Sequence, residues 1–140
     1  MRTRNILASA VLVLSSTGAL GTGAIAQTSA APASFSGHWE KKKDPFCQMT
    51  LVQKGNKLTG TYSTAPHPDA KKVQDGQIEG NITKPGHARV SYTSSWANEG
   101  ARGKLDLDLT GKGLKWTLVE APTQDYGEDY SPNSVLMTKK

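Results

Sequence analysis

Ten consecutive residues from Ala101 to Thr110 alternate without a break. Ala101, Gly103, Leu105, Leu107 and Leu109 fall on one parity, and Arg102, Lys104, Asp106, Asp108 and Thr110 on the other. Successive side chains point to opposite sides only in an extended chain, so this pattern predicts a strand with one apolar and one wetted face. Seven further segments read the same way. Phe35, Gly37 and Trp39 share a face of the first, Cys47, Met49 and Leu51 of the second, and Leu58, Gly60 and Tyr62 of the third. Ile78, Gly80 and Ile82 follow on the fourth, then Ala88, Val90 and Tyr92 on the fifth. The 101–110 segment is the sixth, and Leu114, Trp116 and Leu118 mark the seventh. The last runs near Ser134 to Thr138, where Val135 and Leu136 compete for the inner face. Gly55-Asn56 is a two-residue hairpin signal, and Gly111-Lys112-Gly113 turns the chain between the sixth and seventh segments. No segment carries a sustained 3.6-residue stripe, so the expected class is all-β.

Strands that are apolar on one face and joined by short turns must close or stack to bury that face. About eight of them in a chain of this length suit a small antiparallel up-and-down barrel, which has no unpaired edges; a β-sandwich is the alternative. Gly37, Gly60, Gly80, Ala88, Ala101 and Gly103 all fall on the inward parity. Small residues there let strands coil sharply, and they also leave a barrel interior less than full. Under the second consequence an internal or mouth-side cavity is expected.

The amino-terminal segment has a different character. Arg2 and Arg4 precede an apolar run from Ile6 to about Leu20, followed by Ala24-Ile25-Ala26. This is the make-up of a cleavable secretory signal over residues 1–26. Ser15, Ser16, Thr17, Gly18 and Gly21 make the run too short and too polar for a membrane span. No cysteine follows it to take a lipid, and Thr3 separates the two arginines, so general export of the bacterial type is expected, to the periplasm or the exterior. Residues 27–34, small and polar with one proline, read as a flexible leader to a single domain over 35–140.

The signal holds two of the seventeen basic residues and none of the twelve acidic ones, so the mature chain has fifteen against twelve, a net charge of +3. Charges of both signs are interspersed along it, which argues against a nucleic-acid partner. Cys47 is the single cysteine, so no internal disulfide forms. Its parity with Met49 and Leu51 predicts a buried small apolar side chain.

Candidate site residues are aromatic. Trp39, Tyr62, Tyr92, Trp96 and Trp116 occupy positions that can face inward, and an aromatic wall with polar tips is how small barrels hold ligands. The same residues also serve as plain core. Two connections exceed hairpin length, 64–75 and 121–133; the first carries Pro66-His67-Pro68-Asp69, the second Asp125, Glu128 and Asp129 between Tyr126 and Tyr130. His38, His67 and His87 lack metal-ligand spacing, and the acidic loop lacks the alternation of a calcium loop, so no metal and no cofactor is expected. Lys41-Lys42-Lys43 reads as a solvated strand end. No nucleophile motif and no paired carboxylates stand out, so no catalytic residue is assigned.

Gly37-His38-Trp39, Met49-Thr50-Leu51 and Leu58-Thr59-Gly60-Thr61-Tyr62 together resemble the opening of calycin-type barrels, the lipocalins and avidins, whose first strand carries G-x-W. The resemblance covers about thirty residues. It implies a barrel, and by likeness to the avidins it puts Tyr62 in a pocket. The later strands match that pattern poorly, so biotin is not implied. Two functions follow as expectations. One is an exported barrel binding a small apolar or amphipathic ligand through Trp39, Tyr62, Tyr92, Trp96 and Trp116. The other is an envelope protein-interaction or inhibitor module that uses its long loops.

Overall fold

Each of the alternating segments is a strand in the computed structural model, which describes residues 33–125 and 129–140. The expected signal peptide, most of the expected leader, and Tyr126 and Glu128 of the acidic loop lie outside the described residues. The strands are β1 (Gly37–Lys41), β2 (Phe46–Lys54), β3 (Lys57–Ala65), β4 (Gln74–Lys84), β5 (His87–Tyr92), β6 (Gly103–Thr110), β7 (Gly113–Glu120) and β8 (Ser134–Lys139). Every neighbour in chain order pairs antiparallel, and β8 returns to pair with β1, which closes the barrel. The sandwich alternative is thereby excluded.

The inward parity makes the core. Cys47, Met49 and Leu51 on β2, Leu58 and Tyr62 on β3, Leu105 and Leu107 on β6, and Leu114 and Trp116 on β7 are all buried. Phe35 plugs one end just before β1. On β8 Val135 and Met137 point in while Leu136 points out, because Trp116 pairs with Val135 and Leu114 with Met137. The outward parity carries Arg89, Lys104, Asp106, Asp108 and Lys115, with threonines among them. An apolar interior inside a charged wall is the reverse of a lipid-spanning barrel. No helix occurs among the described residues, so none is long and apolar enough to cross a membrane.

The small inward residues serve close approach. A Cβ on Gly60 would strike the backbone of Thr50, and one on Gly80 the backbone of Arg89 and Val90. On Gly103 it would collide with the ring of Tyr92, which lies flat across that position from the paired residue of β5. The missing side chains let strands coil and let a large neighbour fill the space. Ala101 departs from the expected pattern: it precedes β6, half-buried, its N–H donating to the carbonyl of Asn98 at 3.0 Å.

Up-and-down connectivity sorts the connections by end. The segments 42–45, 66–73, 93–102 and 121–133 emerge at one end, and the two-residue turns 55–56, 85–86 and 111–112 at the other. The 93–102 loop, not singled out by sequence, joins the two long ones.

Candidate functional site

At the barrel centre Tyr62 meets Tyr92 and Trp116 edge to face, and Tyr92 and Trp116 are tilted against each other. Ring centroids lie 5.5 Å apart for the two tyrosines, 5.4 Å for Tyr62 and Trp116, and 5.9 Å for Tyr92 and Trp116. Positive ring edges against negative faces add roughly 0.5–1.5 kcal/mol per pair beyond area burial. Trp39 is buried near the wall between β1 and β8, its indole N–H donating to the Phe35 carbonyl at 2.8 Å. Four of the five expected site residues thus stand inside the barrel, and three of them touch.

Their polar tips point toward the long-loop end, where other protein groups meet them. The Tyr62 hydroxyl donates to the Thr93 carbonyl at 2.6 Å and accepts from the Gln74 side-chain amide at 3.2 Å. The same amide donates to Ser131 Oγ at 2.7 Å, and Gln74 Oε1 accepts the backbone N–H of Tyr130 at 2.9 Å. Tyr92 Oη and Ser131 Oγ share a hydrogen bond of 2.9 Å, and the Trp116 indole donates to the Pro132 carbonyl at 2.9 Å. Gln74 is fully buried at the start of β4. It gathers Tyr62 and residues 130–131 into one network that folds the end of the 121–133 loop over the barrel mouth. Burial pushes the Tyr92 hydroxyl up to about 12 and Tyr62 further still. Both phenols stay protonated donors across the neutral range. Beside them, Thr64 Oγ1 is buried and has no hydrogen-bond partner among the described residues.

Trp96 stands elsewhere. It belongs to the 93–102 loop, half-buried on the outside of the barrel mouth, where its indole N–H donates to the Val73 carbonyl at 2.9 Å. Tyr130 packs edge-on against it at 6.0 Å, and the Lys72 ammonium lies 6.0 Å from its ring centroid. Trp96 follows the end of β5 by four positions, and its ring is placed by Val73, Tyr130 and Lys72 rather than by strand parity. Asn98 ties this loop to the next: its amide donates to Asp125 Oδ2, and its Oδ1 accepts the Asp125 N–H, both at 3.0 Å. Segments 66–73, 93–102 and 121–133 therefore form one cross-linked rim.

Gln74, Ser131 and Tyr130 were not among the expected site residues. Gln74 did carry a signal: it shares the inward parity of Ile78, where a polar residue needs a partner. Ser131 and Tyr130 lie in a loop, where no periodicity reveals facing.

On the outer wall, Asp106 takes both nitrogens of a fork from Arg89, and His87 Nδ1 lies 2.5 Å from Asp108 Oδ1. The Arg89 guanidinium holds the Asp106 carboxyl below its usual range. These pairs follow from the β5–β6 register, His87 opposite Asp108 and Arg89 opposite Asp106. Among the described residues no grouping of three or more His, Cys, Asp or Glu is arranged to hold a metal ion. Cys47 is buried and free, and desolvation pushes its thiol up to about 12, so it packs as a small apolar side chain. Comparison with protein families, with curated proteins and with solved structures finds no match.

Proposed function

We propose that the protein is an exported interaction module that meets a partner protein of the cell envelope with its long-loop rim, the barrel acting as a rigid base. The observation carrying this reading is Trp96 on the outside of the rim, braced by Tyr130 and Lys72. A large aromatic ring held in place loses little entropy on binding, and such rings dominate the energy of protein interfaces. Tyr62, Tyr92 and Trp116 are buried within the barrel, with their hydrogen bonds made to residues of the same chain, and so offer no surface to a partner. Trp96→Ala is expected to weaken capture of the partner from an envelope extract about thirtyfold. The melting temperature should stay within a few degrees of the parent. Equal capture by parent and variant would sink this reading.

A second reading has its own support. Thr64 Oγ1, buried opposite Gln74 and unpartnered among the described residues, offers a hydrogen bond to a small polar group lodged beneath the 121–133 loop. A small amphipathic ligand would then lie against Tyr62, Tyr92, Trp116 and Trp39, with Trp96 at the mouth. Native mass spectrometry of the purified protein separates the two. A stoichiometric extra mass lost on denaturation favours the ligand, and a bare chain mass favours the rim.

A further inference from the structure

We propose that the short-turn end of the barrel, opposite the rim, is a docking surface for an anionic phospholipid bilayer. Four basic segments converge there, beside the uncharged residues 33–36 that hydrogen-bond Gln53: Lys54-Gly55-Asn56-Lys57, Lys84-Pro85-Gly86-His87, Thr110-Gly111-Lys112-Gly113 and Thr138-Lys139-Lys140. They contribute six lysines, all exposed, and no Asp or Glu side chain. The other end is mixed, with Asp44, Asp69, Glu99, Asp125 and Asp129 among Lys42, Lys43, Lys71, Lys72 and Arg102. A modest net charge therefore conceals a strongly one-sided distribution.

Few of these lysines are neutralised. Lys57 reaches Glu79 at 3.6 Å and Lys140 reaches Glu40 at 3.3 Å, both carboxylates belonging to the strands rather than the turns. The Lys139 ammonium sits 5.4 Å from the Trp39 ring centroid. Among the described residues no carboxylate lies within ion-pairing distance of Lys54, Lys84 or Lys112.

Shape and neighbouring side chains select a bilayer over a polymer. An eight-stranded barrel is about 16 Å across, and two-residue turns project little beyond it, so the lysines form a shallow ring with no groove. A nucleic-acid strand is held by a track of charge with aromatic rings for its bases to stack on. The four segments contain no tryptophan, tyrosine or phenylalanine. Instead, each of two flanks pairs an exposed apolar side chain with two ammoniums. Val52, 46% exposed, lines a depression with Lys54 and Lys57, and Leu136, 41% exposed, lines another with Lys112 and Lys115. Ammonium above and hydrocarbon beside it match a phosphate headgroup and the start of its acyl chain. Docked this way, the barrel would turn its loop rim away from the membrane.

Co-sedimentation with vesicles tests this, using the full chain and two charge-matched triple variants. One is K54Q/K84Q/K112Q at the short-turn end, and the other is K41Q/K42Q/K43Q at the rim end. Vesicles are phosphatidylglycerol with phosphatidylcholine in equal parts, or phosphatidylcholine alone. Any binding by the amino-terminal apolar segment is common to all three proteins, so differences between them report on the lysines. The expected result is greater retention on anionic than on neutral vesicles, the excess falling as salt rises from about 50 to 500 mM. It should weaken roughly tenfold or more in the short-turn triple and little in the rim triple. K54E alone, less disturbing to the chain, should move retention in the same direction. Equal losses in both triples would overturn the proposal, as would indifference to lipid charge or preferential capture by heparin or duplex DNA.

Discussion

Tyr92 and Gly103 face each other across β5 and β6, and the ring of one occupies the space a side chain on the other would need. Gly103→Ala is therefore expected to cost about 1–3 kcal/mol of stability by forcing the buried ring out of place. Gly111→Ala, where a Cβ meets nothing, is expected to be nearly neutral. Urea denaturation of the two variants makes the comparison, and equal midpoints would refute the fit. Cys47 provides a second residue-scale expectation. With burial pushing its thiol up to about 12, it should resist a thiol reagent at about pH 8 in the folded protein and react as one equivalent after denaturation. Rapid reaction in the native state would show that the barrel opens far more often than its packing implies. The burial of Cys47 was legible in its parity with Met49 and Leu51. The position of Trp96 was not, since parity carries no meaning once the chain leaves the strand.

At the scale of elements, one side chain joins a strand to a loop fifty-six or fifty-seven positions away: Gln74 at the start of β4 holds Tyr130 and Ser131. Gln74→Ala would leave the Tyr130 N–H and the Ser131 hydroxyl without that partner inside the mouth. The expected loss is about 2–3 kcal/mol, with faster amide exchange in 129–133 and unchanged protection in β2 and β3. Exchange that rises evenly over the whole barrel would instead mean that Gln74 supports the barrel itself. The β8 strand shows what a neighbour decides. Val135 and Leu136 are similar apolar residues in adjacent positions, and only the register against Trp116 and Leu114 turns Val135 inward.

For the whole molecule, closure makes the interior a shared resource, and its ionisable groups report on it together. Tyr92 has a folded value of about 12 against 10.0 outside, Tyr62 is raised further, and Cys47 goes from 9.0 to about 12. Each is neutral when protonated, so a raised folded value means that the unfolded chain loses its proton first. The stability these groups contribute is fully present below about pH 9 and is lost as pH rises from 9 toward 12. Denaturant midpoints measured across that range should fall, and Tyr92→Phe should flatten the fall while lowering stability near neutrality. An unchanged slope in the variant would mean that Tyr92 is wetter than its packing indicates. Among the described residues the acid side has no comparable buried cluster: Asp106, held low by Arg89, keeps its contribution above its unfolded value and loses it as pH falls through the lower folded one. Solvent around the half-exposed guanidinium screens that contribution.

The alternation of the 101–110 segment and its seven counterparts determined by itself that the chain is all-β, roughly where each strand runs, and which side chains it buries. Those properties are local, because a period of two follows from backbone geometry one residue at a time. Closure, the occupation of the glycine positions by Tyr92 and by neighbouring backbone, the capture of the tyrosine tips by Gln74 and Ser131, and the exclusion of Trp96 were decided only in three dimensions. Each depends on partners outside the segment itself, from Tyr92 and Gly103 eleven positions apart to Trp39 and Lys139 a hundred apart, and no short-range pattern encodes which of them will meet. The gathering of the lysine-bearing turns at one end has the same origin: it is a property of up-and-down topology, invisible in a chain where those lysines are scattered from position 54 to position 140.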